Sequence, residues 1–264
     1  MFALVAIATT AQAQKNTIDG HEYVDLGLPS GTLWASCNVG ATKPEEYGLY
    51  FAWGETKGYT SATSAGHSFD EANYKWCKQT KLEDYCATKY CNDILLNAED
   101  TAAVLIELGV ASVEEADAKT LQEKLDYILA DKLEDLGLAQ NDNKTELDLE
   151  DDAAYVNWGS NWRMPSLDQI EELIDNCNWE WTTQNGIYGK KATSKTNGNS
   201  IFLPAAGGRH GTSLYTAGEQ GLYWSRTLYA YSSSGAYRLR FYSGSVGWYH
   251  SYRYYGQSVR PVRR

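Results

Sequence analysis

The sequence predicts an α+β fold in which short antiparallel strands form the body of the chain and a helical segment is inserted into it. Two observations carry this prediction. Apolar residues recur at helical spacing within residues 92–150 and again after Ser166. From residue 199 onwards, short runs of apolar and aromatic residues alternate with Gly- and Ser-rich turns, a pattern typical of strands.

The first residues predict export. Phe2–Ala8 is apolar, and Ala11-Gln12-Ala13 supplies the small residues that signal peptidase requires, so residues 1–13 are interpreted as a signal peptide. Its usual basic start is missing, so either the start is truncated or Met1 is misassigned. The expected location is secreted or at the cell surface. Since no later segment approaches the ~20 apolar residues of a membrane span, the mature chain is expected to be peripheral to the surface if it is tethered there.

The domain predicted to follow covers residues 20–264. It begins with two strand-like stretches, Glu22–Leu26 and Leu33–Val39, which are separated by a Pro-Ser-Gly turn at residues 29–31. Glu46–Glu55 is rich in aromatic residues and glycine, so it is interpreted as irregular structure that is held in place by buried rings.

Residues 92–150 interrupt this domain as an acidic helical insertion. They contain neither Trp nor Pro, and their leucines and other apolar residues follow a helical period. Because the outer faces of helices are usually charged for solubility, the acidic residues are interpreted as a solvated surface in preference to a metal site.

A second helix is predicted after Pro165. Ser166 and Gln169 form a capping box, and the following helix would bury Leu167, Ile170, Leu173 and Ile174. Further strands are predicted at Ile201–Pro204, Leu222–Thr227, Ala236–Tyr242 and Ser258–Val262.

Charge divides the chain into two unlike parts. Residues 1–189 have a net charge of -21 and residues 190–264 a net charge of +10, against -11 for the whole chain. The basic end either meets a polar or anionic partner or is neutralised internally by the acidic part. Aromatic composition is also unusual, with 20 Tyr and 9 Trp but 5 Phe, which favours half-exposed contact surfaces.

Six motifs, in order along the chain, resemble those of the Fibrobacter succinogenes major paralogous domain family. The resemblance covers about residues 20–90 and 150–264. The motifs are Val24–Ala35 (VDLGLPSGTLWA), Phe51–Glu55 (FAWGE), Trp162–Pro165 (WRMP), Ile201–Gly207 (IFLPAAG), Tyr223–Ser225 (YWS) and Ser258–Val262 (SVRPV).

This resemblance implies a C-type-lectin-like domain, related to formylglycine-generating enzymes and to the variable proteins of diversity-generating retroelements. Members of the family are typically exported by gut and rumen bacteria. The resemblance further implies that the N- and C-terminal strands pair and that the last strands and loops build one face.

The segment Tyr223–Gly256 is the candidate binding face. It contains no Asp, Glu, Lys, Asn or Gln and is dominated by Tyr, Ser, Gly and Arg, which is the chemistry of antibody paratopes. Period-2 alternation at residues 237–242 would bury Leu239 and Phe241 and expose the residues between them. The predicted ligand-binding residues are Arg226, Tyr229, Tyr231, Arg238, Arg240, Tyr242, Ser245, Tyr249, His250, Ser251, Tyr252, Tyr254 and Tyr255.

One other interpretation of this segment stays open: its rings can be structural, packing across strands as Tyr and Trp commonly do. A further hypothesis concerns the origin of the binding face. Codons ending in a pyrimidine encode its Arg, Tyr, Ser, Gly and His, so a retroelement that randomises the first two bases of Asn codons can generate it; composition by chance is the alternative. Under the retroelement hypothesis, the fixed frame would be Leu239, Phe241, Val246, Trp248 and Ser258–Val262.

Neither a catalytic residue nor a cofactor is predicted. The sequence lacks a nucleophile elbow, a P-loop and an H-E-x-x-H motif, and its four histidines are scattered. The reactive cysteine pair of the formylglycine-generating relatives would lie late in the chain, beyond the last cysteine here, Cys177. A hydrolase built on paired carboxylates such as Glu171 and Glu172 stays open, although a structural helix is expected to carry both.

Metal binding is not predicted either. The late loop lacks the Pro-centred acidic or amide triplet of calcium-dependent lectins. The cysteines form no C-x-x-C pair and therefore predict no zinc site; they allow two disulfides and one free thiol, or reduced and buried side chains. The five cysteines are Cys37, Cys77, Cys86, Cys91 and Cys177.

The sequence thus predicts an exported binding protein, not an enzyme, whose Tyr- and Arg-rich face recognises an extracellular glycan or protein. Its arginines favour an acidic glycan or an acidic protein patch. Nucleic acid is not expected as a partner of an exported protein. The alternative is a structural or adhesive surface or pilus subunit whose C-terminal aromatic residues mediate assembly.

Overall fold

The computed structural model describes residues 16–60, 67–75, 144–231 and 234–263. Within these ranges the helices are α1 (Ala153–Trp158) and α2 (Leu167–Asn176), with short 3-10 turns at Glu71–Asn73 and Leu149–Asp151. The strands are β1 (Thr17–Ile18), β2 (His21–Asp25), β3 (Leu33–Ala35), β4 (Tyr50–Phe51), β5 (Cys177–Gln184), β6 (Ile187–Ser194), β7 (Ser200–Pro204), β8 (Gly208–His210), β9 (Ser213–Tyr215), β10 (Gly221–Leu228), β11 (Gly235–Tyr242), β12 (Ser245–Tyr252), β13 (Gln257–Ser258) and β14 (Val262–Arg263).

The described strands form four small sheets. Their orders are β1-β2-β3-β14, β12-β11-β10-β13-β4, β5-β6-β7 and β8-β9. The pairings are antiparallel apart from that of β10 with β13, which is parallel. Strand β14 pairs with β3, with Val262 opposite Trp34, so the expected pairing of N- and C-terminal strands is confirmed.

The prediction of an α+β, C-type-lectin-like domain is wrong for this structure. Strands make up 43% and helices 13%, the strands lie in several small sheets, and α2 is the one described helix of seven or more residues. Most of the expected helical residues lie in the range 92–143, outside the described residues. Two stretches not expected to be strands, 177–194 and 245–252, form long antiparallel strands, since their Trp, Tyr and Thr side chains suit a half-buried sheet.

Two further predictions fall wholly or mostly outside the described residues: the signal peptide at 1–13 and the insertion at 92–150. The described end of that insertion, 144–150, is not α-helical. Leu147 donates its amide to the carbonyl of Arg226, and Leu228 donates to Thr145, so this stretch runs beside β10. No helix in the described ranges is both long and apolar enough to cross a membrane.

The other strand predictions hold with shifted boundaries. Strand β3 ends at Ala35, four residues earlier than expected, and the expected strand at Ser258–Val262 is divided into β13 and β14. Pro261 lies in this interruption, where its missing N–H cannot be required by a strand partner. The irregular stretch Glu46–Glu55 is held in place by fully buried rings, as predicted, those of Tyr50, Phe51 and Trp53.

Two clusters of buried side chains form the core. In the first, indole groups tie strands together: Trp53 donates from Nε1 to the carbonyl of Ser225, and Trp224 donates to the carbonyl of Phe51, both at 2.8 Å. These reciprocal bonds satisfy the polar end of each large buried ring. They also fix β10 against the segment that carries β4.

Helix α2 covers the second cluster. The capping box predicted from Ser166 and Gln169 is present, and Ile170 and Leu173 are fully buried. Leu167 and Ile174 are half-buried, because they flank the buried stripe. The helix lies against β10, β11 and β12 and thereby supports one face of the five-stranded sheet.

A buried arginine joins three of the sheets. Arg260 is 1% exposed and lies between β13 and β14. Its guanidinium donates to the side chain of Asn38 (2.8 Å), to the carbonyls of Ala35 and Ser36, and to the carbonyl of Phe202 in β7 (3.0 Å). The Arg260 side chain therefore bonds to carbonyls in β3 and β7, which belong to two different sheets. Its backbone follows β13, which belongs to a third sheet.

We expect Arg260→Lys to lower the free energy of unfolding by about 3 kcal/mol or more, because an ammonium cannot reach four acceptors and leaves buried carbonyls unpaired. Urea denaturation followed by tryptophan fluorescence measures this loss. Arg263→Lys, on the half-exposed end of β14, is the matched control and should change stability by less than about 0.5 kcal/mol. Equal losses in both variants would contradict the role assigned to Arg260.

Candidate functional site

Strands β11 and β12 bring five of the predicted positions, together with Gly247, into two adjoining rows. Residues directly opposite in an antiparallel pair point to the same side of the sheet. We call this side the arginine face; its facing pairs are Arg238 with Tyr249, Arg240 with Gly247, and Tyr242 with Ser245. The residues between them, Leu239 and Phe241, are 1% and 0% exposed and Tyr242 is exposed, as predicted. Arg238 and Arg240, which were predicted to face solvent, are half-buried instead, and Nε of Arg238 is enclosed.

The two arginines of this face are held by neutral groups. Arg240 donates from Nε to Oε1 of Gln220 at 3.0 Å, and its guanidinium carbon lies 5.7 Å from the ring centre of Tyr242 and 5.3 Å from that of Tyr249. Arg238 hydrogen-bonds to the hydroxyl of Tyr215. Burial lowers the pKa of Arg238 and raises the pKa of Tyr215, so this pair is more enclosed than Arg240.

A groove of about 390 Å³ lies where β11 begins and β12 ends. Its aromatic lining comes from Tyr229, His250, Tyr252 and Tyr255, and its small lining residues are Ser234, Gly235 and Ser251. We call it the end groove. The ring of Tyr215 contacts that of Tyr255 at 6.3 Å, so the residue that binds Arg238 also borders the groove lining.

Stacking positions the rings of the end groove. Tyr229 lies parallel to His250 with ring centres 4.0 Å apart, and Tyr252 lies parallel to Tyr254 at 5.4 Å. Tyr231, which is 82% exposed, packs by its edge against Tyr229. These contacts restrict ring rotation before any ligand arrives.

Two predicted residues have other surroundings. Arg226 forms an ion pair with Glu146 at 2.7 Å and donates to the carbonyl of Met164 and the side chain of Gln169. It lines a separate polar cavity of about 440 Å³ between α2 and the end of β14. Ser251 is 8% exposed: it points to the same side as Tyr249, but it faces Ala236, where the first core cluster covers this end of the sheet.

Sequence reasoning missed several residues of the site. Trp248 was assigned to the fixed internal frame, yet 46% of its surface is exposed beside Glu171 and Asp175 of α2. Gln220 and Tyr215 precede β10 and carry no local signal of their role. Both become visible only when the register of β10 and β11 is known.

Of the two carboxylates considered for hydrolysis, Glu172 has structural partners and Glu171 borders the cavity beside Trp248. Glu172 accepts bonds from the amide and hydroxyl of Ser30, at 2.7 and 2.6 Å, and so ties α2 to the first turn. Oxygen atoms of Asp148, Glu150 and Asp151 lie within 4.8 Å of one another, but Asp151 pairs with Lys75 at 2.9 Å. Asp148 pairs with Lys144 four residues earlier. We therefore interpret the trio as an ion-paired cluster in which Asp151 is buried and Glu150 is exposed.

Cys37 and Cys177 are free thiols, and the other three cysteines lie outside the described residues. Burial raises the pKa of the Cys177 thiol to about 11 and also raises that of Cys37. A raised pKa keeps the thiol protonated and therefore unreactive at neutral pH.

We expect iodoacetamide to modify Cys177 about 100-fold more slowly in the native chain at about pH 8 than in urea, because little thiolate forms in the buried site. Peptide mass spectrometry after timed quenching measures the two rates at this one residue. Comparable rates in the native and unfolded chains would show that the thiol is accessible and ionised.

No protein-family model, curated protein or solved structure gives a significant match to this chain. The resemblance to the paralogous domain family therefore stays a prediction, and the arginine face and the end groove are the features of this chain that indicate a function.

Proposed function

We propose that this protein is an exported binding protein that recognises an extracellular ligand through the arginine face and the end groove, without catalysing a reaction on it. The observation that carries the proposal is the concentration of exposed rings. Of eight exposed large apolar or aromatic side chains in the described ranges, five lie within residues 231–252: Tyr231, Tyr242, Trp248, Tyr249 and Tyr252. These rings are grouped around β12 but not on one side of it: Tyr242 and Tyr249 lie on the arginine face, Trp248 points to the opposite side beside α2, and Tyr252 lines the end groove. Exposed rings concentrated in one part of a chain mark interaction surfaces.

The support beneath these rings is rigid. Strand β11 places Ala236, Leu239 and Phe241 in the core, and α2 packs against the same strands. A ligand that binds here meets side chains whose backbone is already fixed, which lowers the entropy lost on binding. Tyrosine adds large contact area with few rotatable bonds.

The Tyr and Arg side chains of the arginine face and the end groove favour a ligand that has rings and polar groups, either a glycan or a protein. Tyrosine rings stack on flat apolar surfaces and offer hydroxyl groups for hydrogen bonds. Arginine adds charged, directional donors. Retroelement diversification of the outward positions remains a hypothesis; the outward side chains of Tyr242, Tyr249 and Tyr252 are positions where substitution removes little buried surface.

We expect the double variant Tyr249→Ala, Tyr252→Ala to lose at least about 10-fold in affinity for ligands found on glycan and protein arrays, because aromatic anchors dominate such interfaces. Stability should change by less than about 1 kcal/mol, since 42% and 53% of these side chains are already exposed. Binding is measured by calorimetry and stability by urea denaturation.

Tyr188→Ala is the matched control. This tyrosine is 52% exposed but belongs to β6, in a different sheet, where it stacks on Trp181 at 5.9 Å. We expect its affinity to stay within about twofold of the original. Loss of binding in the Tyr188 variant alone would place the ligand site on the other sheet.

An assembly role is the second candidate, and the edge position of β12 favours it. This strand ends the five-stranded sheet, is eight residues long and contains neither a proline nor a Lys, Arg, Asp or Glu. Proteins usually protect exposed edges with such residues, and an unprotected edge can pair with a strand of another chain.

The variant Trp248→Lys separates the two candidates. Under the binding proposal the original chain and the variant have the same monomeric mass in sedimentation equilibrium over the concentration range tested. Assembly through β12 predicts a larger species for the original chain that a lysine on the edge strand dissociates. That second result would replace the binding proposal with a structural subunit.

A further inference from the structure

Arg240 lies in the middle of the arginine face, where neighbouring side chains hold its guanidinium in place. Gln220 holds its Nε, and the rings of Tyr242 and Tyr249 flank the guanidinium carbon at 5.7 and 5.3 Å. A half-buried arginine fixed at Nε keeps its two terminal nitrogens in one plane, which is the arrangement that grips a carboxylate with two parallel hydrogen bonds.

The position facing Arg240 across the strand pair has no side chain. Gly247 lies directly opposite, and a Cβ atom added there would come within 3.3 Å of Cε2 of Tyr249. The ring of Tyr249 thus extends over the glycine towards Arg240. Glycine at this position permits the close approach of the Tyr249 ring to the strand, which brings that ring beside the guanidinium.

No carboxylate in the described part of the chain forms an ion pair with Arg240 or Arg238. By contrast, Arg163 pairs with Asp152 and Arg226 with Glu146, each at 2.7 Å. Arg238 and Arg240 are alternate residues of one strand and point to the same side, and the charge of Arg240 adds to burial in lowering the pKa of Arg238. Adjacent like charges with no counter-charge favour binding of an anion.

We propose that Arg240 is the specificity-determining residue of the arginine face and that it binds the carboxylate of an acidic sugar, of the hexuronate class. The inference rests on the proposed binding function and names its ligand. A hexuronate carries its carboxylate directly on the pyranose ring, so one sugar places an anion on Arg240 while its apolar C–H face meets Tyr242 or Tyr249. An aspartate or glutamate side chain of a protein offers the anion without the ring.

The test uses the full chain and three probes: oligomers of galacturonate, mannuronate and glucuronate. Each is compared by calorimetry in about 0.15 M NaCl with its methyl ester, which keeps the sugar rings and removes the charge. We expect at least one acidic oligomer to bind, its ester to bind about 10-fold more weakly or worse, and Arg240→Gln to lose a similar factor.

Two further variants sharpen this test. Gly247→Ala puts a methyl group 3.3 Å from Cε2 of Tyr249, so the ring must shift slightly beside Arg240, and we expect a smaller loss of affinity than for Arg240→Gln. Arg263→Gln removes a half-exposed arginine of β14, outside the arginine face, and should bind within about twofold of the original chain. Urea denaturation of each variant confirms that it folds.

The outcomes separate this inference from the proposed function. Equal binding of acid and ester, no effect of Arg240→Gln, or no binding of any acidic oligomer would overturn the hexuronate assignment. If the Tyr249 and Tyr252 substitutions still weaken binding of a ligand found on the arrays, the proposed binding function stands and only the hexuronate assignment fails. Equal, Arg240-dependent binding of poly-glutamate would reassign the ligand to acidic protein. If no array ligand depends on the tyrosines, both proposals fail.

Discussion

The guanidinium of Arg260 lies where three sheets meet, and its four hydrogen bonds within the described residues all go to neutral oxygen atoms. Removing such a charge from water is expensive, and burial lowers the pKa of Arg260 accordingly. The cost is offset because the planar group offers five donors to carbonyls that would otherwise be buried without partners. Polar hydrogen bonds, as well as apolar packing, therefore join these small sheets.

This junction determines where the binding strands lie. Strand β12 leads into Arg253, which is 1% exposed and lies over the rings of Trp53 and Tyr74 at 5.6 and 5.5 Å. The chain then passes through β13, whose Ser258 pairs with Tyr223, and reaches Arg260. Two buried arginines thus anchor the segment that follows β12. Exposed rings on β12 can remain exposed because the residues after them secure the strand.

Local patterns predicted the parts of the fold that depend on neighbours in sequence. The capping box at Ser166, the alternation around Leu239 and the buried rings near Trp53 were all recognisable, because each depends on spacing of two to four residues. The assignment of fold class was wrong because it depended on how strands far apart in the chain associate. Likewise, Gln220 and Gly247 acquire their roles from the register of three strands, which one sequence does not reveal.

The charge division along the chain has two different structural meanings. Part of the positive charge of the basic end is neutralised within the chain, because Arg226 pairs with Glu146 of the acidic part. Arg238 and Arg240 take neutral partners instead, a tyrosine hydroxyl and an amide oxygen. Neutral partners alone do not call for a ligand, since the structural Arg260 also binds only neutral oxygen atoms. Arg238 and Arg240 differ from Arg260 because they lie side by side on one face, beside the exposed rings of Tyr242 and Tyr249, with no carboxylate paired to them in the described residues. This arrangement favours an anion supplied from outside. Composition alone could not separate these two groups of arginines; their partners do.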